Sequence, residues 1–164
     1  MFALATPAPA LDKPALHALL AEQARALLAG ERDATANAAN LASLVFHTLP
    51  DLNWAGFYWL KDGELVLGPF QGKPACVRIA PGRGVCGTAF AQGRTVVVPD
   101  VHAFPGHIAC DSASASEIVV PVAKGGRVLG LLDLDSPLPG RFDETDARGL
   151  EALAAAFVEA SDPG

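Results

Sequence analysis

The chain has no basic stripe, no long apolar run and no paired cysteine knuckle, and each absence closes a class of function. Its 12 lysines and arginines are scattered singly against 18 acidic residues, for a formal charge of −6. Nothing gathers cations to neutralise a phosphate backbone, so nucleic acid is excluded as a partner. No apolar run approaches the roughly 18 residues of a membrane-spanning helix, and Met1–Pro9 lacks the basic start, apolar stretch and cleavage site of a secretory leader. The expectation is a cytoplasmic protein without a membrane partner, in a compartment where thiols stay reduced. The cysteines are three, Cys76, Cys86 and Cys110, so a closed set of structural disulfides cannot use them all. None of their spacings gives the C-x₂₋₄-C pairs of a structural zinc site. His107 and Cys110 would supply only two ligands, and no metal is expected.

What is present is a core. Apolar residues make 51% of the 164, charged residues only 18%, and 16 glycines and 13 prolines supply turns, which fits one globular domain. Residues 1–14 read as a tail and 15–160 as a single domain. After Pro14, Leu16, Leu19, Leu20, Ala24, Leu27 and Leu28 recur at helical steps until Gly30; Ala38, Leu41, Leu44 and Val45 make a second helical stripe. Trp54–Leu60 and Glu64–Leu67 read as a hairpin about Asp62-Gly63, followed by a strand at Cys76–Ile79. A short helix at Val85–Ala91, a strand at Thr95–Val98 and a polar loop from Asp100 to Ser114 come next. A second hairpin, Glu117–Val122 with Val128–Leu134, turns at Gly125-Gly126, and an amphipathic helix runs from about Asp143. This order is α+β, with a mainly antiparallel central sheet and the N- and C-terminal helices on one face. The loops and the short helix are left to form a pocket on the other.

Four groups of residues could carry chemistry. Gly82, Gly84 and Gly87 spell G-x-G-x-x-G, with Asp100 further on, and so imitate a dinucleotide fingerprint. Too few residues follow Val85 for a crossover helix, and the later strands return through hairpins, so a turn into a short helix is the better reading. The thiols are the second group. Cys86 at the start of a helix could be favoured as a thiolate, Cys110 lies in a polar loop beside Asp111, and a small buried hydrophobe is the plain alternative for Cys76 or Cys86. The acids are the third. Asp133 and Asp135 are two apart on a strand and therefore share a face, and with Glu117 they sit among apolar residues, where desolvation would raise a carboxyl pKa. A solvated strand end is the alternative. The fourth is Trp54 with Tyr58, also on one face, an aromatic wall for an apolar or S-methyl group, or simply core.

Taken together, Asn53–Leu60 (NWAGFYWL), Leu65–Ile79 (LVLGPFQGKPACVRI), Gly82–Ala89 (GRGVCGTA), Asp100–Asp111 (DVHAFPGHIACD), Ser116–Val122 (SEIVVPV), Leu129–Ser136 (LGLLDLDS) and Gly140–Leu150 (GRFDETDARGL) resemble free methionine-(R)-sulfoxide reductase, a catalytic branch of the GAF-domain family. The resemblance spans roughly residues 15–158. It implies a GAF-like fold and thiol-dependent reduction of free L-methionine-(R)-sulfoxide to L-methionine. Matched by motif, Cys110 is the nucleophile left as a sulfenic acid and Cys76 the resolving thiol, the resulting disulfide being reopened by thioredoxin. Cys86 is an alternative partner or relay. Glu117, Asp133 and Asp135 would meet the sulfoxide oxygen and the substrate ammonium, Glu117 and Asp135 as acids for the oxygen and Asp133 at the ammonium. Trp54 and Tyr58 would hold the S-methyl group. No bound cofactor is implied, since electrons come from thioredoxin and ultimately NADPH, and the family tends to form homodimers. Pro74, two residues before Cys76, stiffens the turn through which that thiol must swing. The competing readings are a noncatalytic GAF small-ligand sensor and a thiol redox sensor.

Overall fold

The computed structural model describes residues 11–107 and 111–162. Its elements are α1 (Lys13–Leu28), α2 (Ala34–Thr48), β1 (Trp54–Lys61), β2 (Glu64–Gly72), β3 (Arg78–Ile79), α3 (Gly84–Gln92), β4 (Val96–Val98), β5 (Ser116–Lys124), β6 (Arg127–Ser136) and α4 (Glu144–Ala160), with a 3-10 turn at Val101–Ala103. The sheet order is β3-β2-β1-β6-β5-β4, and every adjacent pair is antiparallel. Asp12, Asp33 and Asp143 cap α1, α2 and α4 by accepting backbone N–H bonds. Each such side chain satisfies donors that an unfinished helix end leaves open.

Alternation along the three central strands sorts the core into two layers. Ala55, Phe57, Ile118, Val120, Val122, Leu132 and Leu134 face α1, α2 and α4, and meet Leu20, Leu41, Leu150, Leu153 and Phe157 there. The intervening residues, Trp54, Tyr58, Val119 and Leu131, face the other way, onto Val85, Cys86 and Ala89 of α3. The α+β architecture and the placement of the terminal helices on one face are as expected. Among the described residues, no helix is long and apolar enough to cross a membrane.

The β5 and β6 strands each begin one residue earlier and end two residues later than the sequence suggests, and two further differences bear on the site. The second strand continues past Leu67 to Gly72. A shift in register between Gly56 and Tyr58 of β1 absorbs Gly68 and Pro69, and β3 pairs only with Leu65 and Val66, so Pro69 sits where the outer edge asks for no N–H. The third strand keeps only Arg78 and Ile79 of the expected Cys76–Ile79. Cys76 therefore lies in the connection ahead of it.

The position of β3 and β4 makes the pocket. They are consecutive strands at opposite edges of the sheet, so the chain between them must cross its face, and α3 is that crossing. The glycine fingerprint serves the turn into α3 and no parallel β-α-β unit. A Cβ on Gly87 would lie 2.5 Å from the Ala80 carbonyl oxygen and 3.0 Å from the Gly82 nitrogen, and the backbone N–H of Gly82 donates to the Gly87 carbonyl at 2.8 Å. Asp100 is occupied as the cap of the 3-10 turn, accepting from the His102 N–H at 2.9 Å.

Candidate active site

Three carboxyls converge under α3. Glu117 of β5 is directly opposite Asp135 of β6, and Asp133 follows two residues away on the same face. Glu117 and Asp133 are each only 6% exposed. The Cys86 thiol lies 3.3 Å from Asp133 Oδ2 and 4.0 Å from Glu117 Oε1. Its position follows from α3 lying across the face at the level of β5 and β6. Together with Trp54, Tyr58, Ile79, Arg83, Val85 and His107, these groups line a narrow, partly open cleft.

Burial governs the protonation of this cluster. It pushes the Glu117 carboxyl well above the usual range, and neighbouring Asp133 and Asp135 add repulsion. Burial likewise lifts Asp133 to about 7, with hydrogen bonds from Cys86 and Glu117 pulling back toward the ionised form. Asp135 is raised by burial, then by Asp133 and Asp111. The Cys86 thiol is raised by burial, then by Asp133 and Glu117, so it remains an S–H donor to Asp133. Three carboxyls sharing a poorly hydrated space cannot all hold charge, so each raises its neighbours' affinity for a proton. Such a cluster can hand a proton to an oxygen atom of a ligand, or receive a cation.

The aromatic wall stands beside the acids on the same face of the sheet, with Trp54 of β1 directly across from Asp135 of β6. Trp54 stacks on Tyr58 and on Phe70, at 6.0 Å and 5.3 Å between centroids. Each ring also has its polar end anchored: Trp54 Nε1 donates to the Lys73 carbonyl at 3.2 Å, and Tyr58 Oη to the Cys76 carbonyl at 2.9 Å. The wall and the segment that carries Cys76 are thus tied together. Gly56, the β1 partner of Asp133, leaves the space that the Trp54 ring occupies, since a Cβ there would be 2.7 Å from its Cη2.

The expected site residues Trp54, Tyr58, Cys86, Glu117, Asp133 and Asp135 all come together in the cleft, with Pro74 and Ala75 on its rim. The plain alternatives fail for the acids, because Asp133 is buried within the strand and does not form a solvated end. Cys76 follows the rim and is disulfide-bonded; Cys86 is free and buried. Cys110 lies outside the described residues.

Reading the sequence missed a second polar group at the cleft mouth. Asp111 accepts from Asn53 Nδ2 and Lys73 Nζ, both at 3.3 Å, and from the Ala113 N–H at 2.9 Å. These bonds, the Ala113 one foremost, hold its carboxyl below the usual range. Asn53 Nδ2 also donates to Ser114 Oγ at 3.0 Å, so the start of β1 grips the end of the long loop. Asn53 and Asp111 both fall within recognisable segments, but nothing local shows that residues 58 apart meet. His107, weighed above only as a metal ligand, places Nδ1 4.0 Å from Glu117 Oε2. Its pKa is lowered by burial and by His102.

The GAF domain family matches residues 35–160 of this chain. Free methionine-R-sulfoxide reductase of Escherichia coli (strain K12) is 52% identical over 145 residues, which cover 88% of each chain. The Saccharomyces cerevisiae protein of the same name is 47% identical over 133 residues, covering 76% of this chain and 74% of that one. The X-ray structure of free methionine-R-sulfoxide reductase from Neisseria meningitidis in complex with its substrate superposes with a TM-score of 0.93 at 48% identity, covering 98% of this chain and 95% of that one.

Proposed function

The chain belongs to the GAF domain family, in its branch of free methionine-R-sulfoxide reductases, and from that premise we propose that it reduces free L-methionine-(R)-sulfoxide to L-methionine by thiol chemistry. The observation that carries the reading is Glu117, a buried carboxyl directly across from Asp135 and in contact with the Cys86–Asp133 pair, in a cleft also lined by the stacked Trp54 and Tyr58. A sulfoxide oxygen leaves poorly unless it is protonated, so the reaction needs an acid placed beside the sulfur. Glu117 or Asp135 supplies that proton. Asp133, which titrates about neutrality, offers its charge to the substrate ammonium. Trp54 and Tyr58 receive the S-methyl group.

In the proposed sequence the Cys110 sulfur attacks the sulfoxide sulfur. The oxygen transfers to Cys110, methionine leaves, and a cysteine sulfenic acid remains. The Cys76 thiol then attacks that sulfur, expelling the oxygen as water and closing a disulfide. Two electrons from thioredoxin, drawn ultimately from NADPH, restore both thiols. Overall one sulfoxide and two thiols become one thioether, one disulfide and one water, without a bound cofactor. That Cys76 is a disulfide cysteine and Cys86 a free one supports Cys76 over Cys86 as the resolver. The noncatalytic sensor and the simple thiol sensor are not favoured, because neither needs a buried carboxyl cluster beside an aromatic wall.

The deciding experiment supplies the reduced protein with free methionine-(R)-sulfoxide, its S epimer and peptide-bound sulfoxide in turn, with a thioredoxin system, and follows NADPH consumption. Turnover confined to the free R epimer is expected. No turnover of that epimer defeats the reading.

A further inference from the structure

One buried nucleophile has no part in the reduction proposed above. Cys86 is 4% exposed and shares its space with Glu117 and Asp133, each 6% exposed. One ligand atom from each of the three lies within 4.8 Å of the others. We propose that Cys86, Glu117 and Asp133 form a binding site for a thiophilic divalent cation of the zinc type, with the fourth position open to the cleft.

The separations fit such an ion. With Zn–S near 2.3 Å and Zn–O near 2.0 Å, a tetrahedral angle sets sulfur and oxygen ligands about 3.5 Å apart. Cys86 Sγ is 3.3 Å from Asp133 Oδ2 and 4.0 Å from Glu117 Oε1, so both sulfur–oxygen separations lie within about 0.5 Å of that value.

Two buried atoms point to a missing ligand independently of that spacing. Asp133 Oδ1 and His107 Nδ1 have no hydrogen-bond partner among the described residues. Buried polar atoms are nearly always paired, and both of these line the same cleft. His107 Nδ1 is also 4.0 Å from Glu117 Oε2, beside the three-residue group. Neither Asp133 nor Glu117 is paired with a lysine or arginine among the described residues, so no fixed cation already fills the place.

The donor set selects the metal. One thiolate and two carboxylates with an open fourth position suit zinc or cobalt, and the thiolate is too soft a donor for magnesium or calcium. As the ion enters, the Cys86 S–H and any carboxyl proton are released to solvent, and no electrons move. Affinity therefore rises with pH. An ion so placed would occupy the carboxyls assigned above to substrate and would inhibit reversibly. The metal site itself needs only the geometry, not the reduction.

The test uses the full chain with Cys76→Ser and Cys110→Ser, so that Cys86 is the only thiol. Cobalt(II) should bind one equivalent and give a near-ultraviolet thiolate-to-cobalt charge-transfer band with strong tetrahedral visible absorption, both displaced by zinc. Adding Cys86→Ala should remove the band. Adding Glu117→Gln or Asp133→Asn in its place should weaken cobalt binding at least tenfold while the circular dichroism of the protein is kept. Absence of the charge-transfer band at stoichiometric cobalt overturns the proposal. So does a band that survives both carboxyl substitutions with unchanged affinity.

Discussion

Glu117 on β5 is the direct cross-strand partner of Asp135 on β6. Like charges facing each other in a ladder repel, and here both residues lie in a poorly hydrated cleft where Asp133 adds a third carboxyl. The folded protein resolves the conflict by keeping protons that its unfolded chain would release.

That retention fixes the sign of a pH effect on stability. The folded pKa values of Glu117, Asp133 and Asp135 are raised above their unfolded values near 4. Between the two, the native state binds more protons than the unfolded state, so stability falls as pH rises from about 4, the Asp133 share through about 7. Urea midpoints measured from pH 4.5 to 8 should decline, and Asp133→Asn or Asp135→Asn should flatten the decline. Equal slopes in the wild type and both variants would refute it.

Glu117→Gln keeps a hydrogen-bond donor in the cleft but cannot give up a proton. If the carboxyl protonates the departing oxygen, kcat should fall by about 10²–10⁴, the usual worth of a positioned acid. Raising pH should lower the wild-type rate as Glu117 ionises, and the variant should lose that limb of its profile. A variant with wild-type kcat would move the acid role to Asp135.

The cysteines divide by turnover number. Cys110→Ser should form no methionine even in a single turnover, because no sulfur remains to take the oxygen. Cys76→Ser should make one equivalent per chain and then recycle poorly with thioredoxin, since its sulfenic acid lacks a resolver. Rapid-quench product counts separate the two. Multiple turnover by Cys110→Ser would reverse the assignment.

How far the sequence discloses this site depends on the range of the signal. Strand periodicity is local, so it reveals that Asp133 and Asp135 share a face and that Trp54 and Tyr58 share another stretch of it. It does not say that β3 and β4 end at opposite edges, and that topological fact is what lays α3 over the acids and buries Cys86 among them. The G-x-G-x-x-G spacing is real, but here Gly87 lets Ala80 and Gly82 approach closely, while Gly82 and Gly84 take the positive φ of the turn. The Asn53–Asp111–Ser114 group stayed hidden because each member reads as an ordinary turn residue until the fold joins them.

Gly56, the β1 partner of Asp133, is a test of the aromatic wall, because its missing side chain makes room for the Trp54 ring. An added Cβ would lie 2.4 Å from Phe70 Cβ and 2.7 Å from Trp54 Cη2, and the Phe70 side of that contact is backbone-anchored on β2. Gly56→Ala should therefore cost about 1–3 kcal/mol, as overpacking does, and should push Trp54 off its stack. A rise in KM larger than the fall in kcat is expected, measured on protein held well below its melting temperature. An unchanged KM would show that Trp54 does not shape the substrate site.

The far side of the molecule holds a charge cluster of the opposite design, in which one buried acid is saturated with cations. Asp146, 1% exposed, accepts from Lys13 Nζ at 2.6 Å, from His17 Nε2 at 3.0 Å, and from Arg141 Nη1 at 3.2 Å to both oxygens. Burial alone would raise its carboxyl, but the bonds from His17, Lys13 and the Asp143 N–H, with the Arg141 charge, hold it well below the usual range. Because the folded pKa is depressed, this stabilisation is complete above pH about 4 and is lost as pH falls through the folded value. It thus works in a window below that of the three cleft carboxyls. Asp146→Asn removes the charge on which α1, α4 and the Arg141 loop converge and leaves the cations uncompensated, which should cost about 3–5 kcal/mol. Lys13→Met removes a partly exposed partner and should cost about 1 kcal/mol or less. Comparison of the two melting curves at pH 7 checks the ranking, and the Asp146→Asn protein should also lose the acid limb of the wild-type stability profile. Equal losses in the two variants would mean that Lys13 alone accounts for the network.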